Sequence, residues 1–100
     1  MKQVIFDFDT IETVEDFYAA AKIQLQLPEY FGNNLDALWD CVTGDIELPV
    51  EILFINITTQ QLEVFDGVVA VFEDASIELD DDLSFKIDLK DASEYESFAE

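Results

Sequence analysis

Asp36 and Asp40, one helical turn apart within LPEYFGNNLDALWDCVTG at residues 27–44, are the pair of residues best placed to do chemistry. On a helical wheel Leu35, Leu38, Trp39 and Val42 cluster together, while both aspartates share the adjacent flank, roughly 100° to 140° from Leu35. Ionised carboxylates at that spacing repel by about 0.2 to 0.5 kcal/mol; Asp36, near the helix start, recovers part of this from the helix dipole and Asp40 does not. Carboxylates presented in this way suit guanidinium groups, which they hold by charge-assisted, often bidentate hydrogen bonds. The plain alternative is the solvated surface of a very acidic protein. The chain has no histidine, and nothing convincingly pairs its carboxylates, tyrosines or lysines for proton transfer, so the residues point to binding without catalysis.

The whole composition narrows the partner. Four Lys/Arg against 24 Asp/Glu give a net charge of −20, which repels phosphate and excludes direct binding of RNA or DNA. The expected partner is therefore cationic. One hundred residues, half of them apolar and 13% aromatic, suffice for one compact domain and are too rich in apolar side chains for an acidic disordered chain. The start MKQVIFDFD lacks the apolar length and small-residue site of a signal peptide, and no stretch reaches membrane-spanning length. A single cysteine, Cys41, leaves no internal disulfide. These features predict a cytoplasmic protein with no membrane association.

The elements that must carry the acidic pair follow from the hydrophobic pattern. Residues 3–8 (QVIFDF) read as a buried first strand. Thr13 then precedes a helix, with Asp16 completing a capping box and Val14, Phe17, Tyr18, Ala21 and Leu25 at helical spacing, ended by Pro28. Residues 29–33 form a turning loop, Asn33 or Asn34 caps the next helix, which runs to about Val42, and Gly44 closes it in a position that often needs positive φ. Residues 50–57 (VEILFINI) have the near-continuous apolar run of a central parallel strand covered on both faces. Two short helices are predicted over 58–78, either side of an Asp66–Gly67 break, and a third strand over 83–89 with Leu83, Phe85, Ile87 and Leu89 inward. Asp80, Asp81 and Asp82 read as a solvated turn, and the acidic end at 90–100 as a short helix or a frayed segment with Tyr95 and Phe98 as anchors. The result is an α/β fold, a single small domain with a three-stranded parallel sheet flanked by about four helices.

Residues 27–44 resemble the binding segment of the barstar family, small intracellular inhibitors that plug the active sites of ribonucleases. The resemblance implies a domain over residues 1–90 with an acidic C-terminal extension at 91–100 belonging to it. It implies a one-to-one complex with a small basic ribonuclease, formed by a protein that is monomeric when free and needs no cofactor or metal. Asp36 and Asp40 fall where the family's acids meet the cations that otherwise hold RNA phosphates, which makes them phosphate mimics. Tyr30 falls on an aromatic loop contact, Asn34 and Leu35 on the entry to the helix, and Gly44 on a further partner-binding position. Trp39 matches a family tryptophan at the border of interface and core, with core packing the better reading. Asp74 aligns with an acid of the last helix, and Glu73 beside it could serve instead. Gly32 and Cys41 also match, the latter as a buried inert thiol, whereas Phe31 stands where tyrosine is common and reads as structural. Asp45 departs from the family, whose namesake has an aromatic residue there. The namesake complex is the reference case of electrostatically steered association, so a salt-sensitive on-rate is an expectation carried by the resemblance.

Two other readings were weighed. VIFDFDTI resembles the nucleophile strand of haloacid-dehalogenase phosphatases, but Thr10 follows Asp9 directly where that motif needs an intervening residue. No phosphate loop, dinucleotide turn, Cys/His cluster or calcium loop is present. The rival function is an acidic module of the same fold that binds another basic protein, such as a DNA-cleaving toxin or a nucleic-acid-binding protein.

Overall fold

The computed structural model describes residues 2–91. The chain runs β1 (Lys2–Asp7), α1 (Val14–Gln24), α2 (Leu35–Gly44), β2 (Val50–Ile57), α3 (Thr59–Val64), α4 (Asp66–Leu79), a short 3-10 helix (Asp80–Asp82) and β3 (Leu83–Leu89). The strands form one parallel sheet in the order β1-β2-β3, with Val4 beside Ile52 and Ile52 beside Phe85. Each helical connection therefore carries the chain back from the C-terminal to the N-terminal end of the sheet, and α2 packs against α4. The expected α/β architecture of three parallel strands and four helices is the one observed.

Local signals place the helices. Thr13 and Thr58 each close a capping box, with Asp16 and Gln61 as the reciprocal partners. The first helix stops at Gln24, ahead of Pro28, because Gln26 turns left-handed at φ 55° and the Leu27 N–H bonds back to the Lys22 carbonyl. The expected break at Asp66–Gly67 lies one residue earlier, at Phe65, and the following helix is not short: it spans 14 residues. The turn into β2 passes through a cis Leu48–Pro49 peptide.

Burial alternates along the sheet. Val4 and Phe6 of β1 and Val50, Ile52 and Phe54 of β2 are buried, whereas Ile5 is exposed and Leu53 and Ile55 are half-buried. The helices thus cover one face, which corrects the expectation that β2 is enclosed on both; its apolar run supplies a core face and a half-covered reverse. Phe54 sits at the centre of the core, its ring 4.9 Å from those of Phe8 and Phe85 and 5.7 Å from those of Phe17 and Phe72. Most of these pairs are edge-on or tilted, the arrangement that the ring quadrupole favours. The acidic end expected to be helical or frayed falls, from residue 92 on, outside the described residues.

At the C-terminal edge of the sheet the Asp7 carboxylate accepts hydrogen bonds from Asn56 Nδ2 at 2.9 Å and from the Asp9 N–H at 3.0 Å. Asn56 is left-handed, φ 58°, where the β2–β3 register shifts between Ile55 and Ile57. The Asn56 bond first, and the Asp9 N–H second, hold the Asp7 carboxyl below its ordinary pKa. A folded-state pKa below the unfolded value of about 3.9 contributes stability above that value, which is lost as pH falls through the folded one. Asn56→Gly keeps the left-handed backbone and removes the donor. It should raise the Asp7 pKa in a carboxyl NMR titration and narrow its stability deficit relative to wild type as the medium is acidified through that window. An Asp7 titration unmoved by the substitution would refute this account.

Candidate functional site

The loop before α2 is pinned from below and capped from ahead. Leu27 and Phe31 are buried, the Phe31 ring meeting Tyr18 edge-on at 5.7 Å, and the Phe31 N–H bonds to the Pro28 carbonyl at 3.0 Å. Lys22 Nζ reaches the Glu29 carbonyl at 3.5 Å. With its neighbour anchored inward, Tyr30 points out and is 82% exposed, so it does not pack on its own helix. Asn33 takes the left-handed conformation, φ 52°, a role asparagine tolerates. Asn34 then caps α2: its Oδ1 accepts from the Ala37 N–H at 2.8 Å while its Nδ2 donates to the Gly32 carbonyl at 3.2 Å. One side chain ties loop to helix.

Along α2 the wheel separates as expected. Leu38, Cys41 and Val42 are buried, Trp39 is half-buried against the core, and Asp36 and Asp40 are exposed on the outer flank. Burial first, and then the nearby Asp45 and Asp40 carboxylates, push the Cys41 thiol up, which makes it a poor nucleophile. The helix continues two residues beyond Val42, and no glycine has positive φ. The positive φ expected at Gly44 is thereby corrected. Asn33 supplies the left-handed residue of the loop, Asp45 caps the helix with its N–H on the Cys41 carbonyl at 2.8 Å, and Gly44 is exposed, with open space where a Cβ would stand.

Leu35 lies against Gly67 of α4, close enough that a Cβ at Gly67 would stand 2.7 Å from Leu35 Cδ1. This contact defines the α4 flank that faces α2. Val71, Asp74 and Glu78 recur four, seven and eleven residues after Gly67, within roughly 40° of it around the helix, whereas Glu73 lies roughly 100° from Asp74. Asp74 therefore shares the α2-facing flank and Glu73 does not. Beside Leu35 and Gly67, Val14, Tyr18 and Val64 line a cleft of about 180 Å³. In the sequence Gly67 reads only as a helix break; its apposition to Leu35 shows in space alone.

The electrostatics of this face are one-sided. Of the four lysines, Lys2 pairs with Glu47, Lys86 with Glu51 and Lys90 with Asp9, and Lys22 lies behind the loop. No Lys or Arg occurs in α2, α3 or α4. Among the described residues Asp36, Asp40 and Asp74 form no salt bridge, and no group of three His, Cys, Asp or Glu is arranged to hold a metal ion. No described helix is long and apolar enough to cross a membrane.

Because Asn34 serves both loop and helix, Asn34→Ala should destabilise the free protein by about 1 kcal/mol in denaturant unfolding. It should also speed amide exchange at Ala37, whereas an unchanged midpoint and exchange rate would show that the cap is not needed.

Comparison with known proteins places the chain. Residues 1–90 match the family model described as "Barstar (barnase inhibitor)". A protein of Bacillus subtilis (strain 168), named "Putative ribonuclease inhibitor YrdF", is 37% identical over 90 residues, covering 87% of this chain and 97% of the relative. The chain with the capped acidic helix and parallel three-stranded sheet belongs to the barstar family.

Proposed function

We propose that the protein is an intracellular inhibitor of a small basic ribonuclease, binding it one-to-one and blocking its active site with the outer face of α2 and the loop before it. The observation that carries the reading is an acidic face that has no lysine of its own, on a chain of the barstar family. Asp36 and Asp40 take the places of RNA phosphates and accept charge-assisted hydrogen bonds from the enzyme's Arg and Lys side chains, bidentate ones from Arg. Asp74 adds a third carboxylate from α4. Tyr30, held outward, supplies a rigid aromatic contact at small entropic cost. Asn34 and Leu35 meet the enzyme at the helix entry, Trp39 at the border with the core, and Gly44 where the open surface allows close approach. The protein does no chemistry itself. It works by excluding substrate, and its net charge of −20 draws a cationic enzyme in.

Inhibition of RNA cleavage by a panel of small basic ribonucleases, at low and high salt, tests the proposal. Wild type should inhibit at least one enzyme stoichiometrically and associate more slowly at high salt. Asp40→Ala should weaken inhibition by about tenfold or more, the loss expected for a charged hydrogen bond, while the melting temperature stays the same or rises slightly. A destabilised Asp40→Ala with undiminished inhibition would contradict the assignment. Binding without inhibition of RNA cleavage would point to a module for another basic protein.

A further inference from the structure

Leu35 is the residue of the proposed face that touches a second helix through a glycine. A Cβ at Gly67 would stand 2.7 Å from Leu35 Cδ1, 3.7 Å from Cδ2 and 3.8 Å from Cγ, so any side chain there must displace the leucine. The atoms in the way form the end of a flexible chain that is 39% exposed, while α2 itself is held by the fully buried Leu38 and Val42. Leu35 can therefore swing outward without disturbing the core. The backbone at Gly67 offers no competing reason for glycine. It lies in the first turn of α4 with no positive φ, and glycine in a helix is less favourable than alanine.

We propose that Gly67 is a positioning residue for inhibition: its missing side chain lets Leu35 lie down against α4, which keeps the approach to Asp36 and Asp74 clear. The inference rests on the reading of α2 as the binding face. A larger residue at 67 would raise Leu35 across that face, so Gly67, which need not touch the enzyme, sets the shape that the enzyme meets.

Gly67→Ala in the full chain tests this by titration against a ribonuclease that wild type inhibits, with thermal unfolding in parallel. Inhibition should weaken by about three- to tenfold, as for coupled neighbouring residues, and the melting temperature should hold or rise. Leu35→Ala weakens inhibition on its own, but adding Gly67→Ala to it should change nothing further, because no δ-methyl remains to be pushed. Unaltered inhibition by Gly67→Ala, a lower melting temperature, or a loss that persists in the Leu35→Ala background would each overturn the role of Gly67 alone. A wild-type protein that inhibits no ribonuclease would overturn the binding face, and this role with it.

Discussion

Packing of Phe6, Phe8, Phe17, Phe54, Phe65 and Phe72 between the sheet and the helices holds together a chain whose charge works to push it apart. Each ring comes from a different turn or strand position, and Phe54 meets rings from β1, α1, α4 and β3. Dispersion and burial here are short-ranged and indifferent to salt, whereas the repulsion among surface acids is long-ranged and screened. A dense apolar centre thus lets the surface carry a face of acids that have no salt-bridge partner among the described residues. The centre also fixes α1 and α4 on one side of the sheet and holds α2 beside α4 through the buried Leu38 and Val42.

The distribution of charge gives that surface its direction. Three lysines are engaged by acids at the sheet and its edges, and the fourth braces the loop from behind, so internal compensation is confined to the part of the molecule away from α2 and α4. A protein selected only for stability would place lysines four residues from Asp36 and Asp40. Their absence agrees with the proposed binding of a cationic partner by this face. The capped entry at Asn34 and the inward Phe31 then matter because a partner is best met by carboxylates and an aromatic ring already in place, with little left to order on binding.

Much of this was legible in the sequence. The three strands, the Thr13 capping box and the separation of Leu38 and Val42 from Asp36 and Asp40 follow from periodicity and local hydrogen-bond chemistry, which depend on neighbouring residues alone. The misjudged features depend on distant contacts or on one backbone angle. The apolar run of β2 suggests two covered faces because a strand's own pattern does not say on which side of the sheet the described helices lie. Gly44 was expected to take positive φ from its position after a helix, yet the helix simply includes it and Asn33 and Gln26 take the left-handed turns. Gly67 looked like a helix breaker, since its apposition to Leu35 exists only once α2 and α4 are side by side. That Asp74 and not Glu73 lies on the α2-facing flank of α4 likewise shows only once the two helices are side by side.

On the proposed function a ribonuclease is engaged by the α2 face and not by the half-covered reverse of the sheet. Backbone amide NMR of the labelled protein, recorded while an inhibited ribonuclease is added, tests it most directly. The shifted and broadened resonances should cluster at Tyr30, Asn34 to Asp40, Gly44 and the α4 flank around Asp74, with β1 and β3 left unchanged. Perturbations centred on Ile5, Leu53, Ile55 and Lys86 would contradict it.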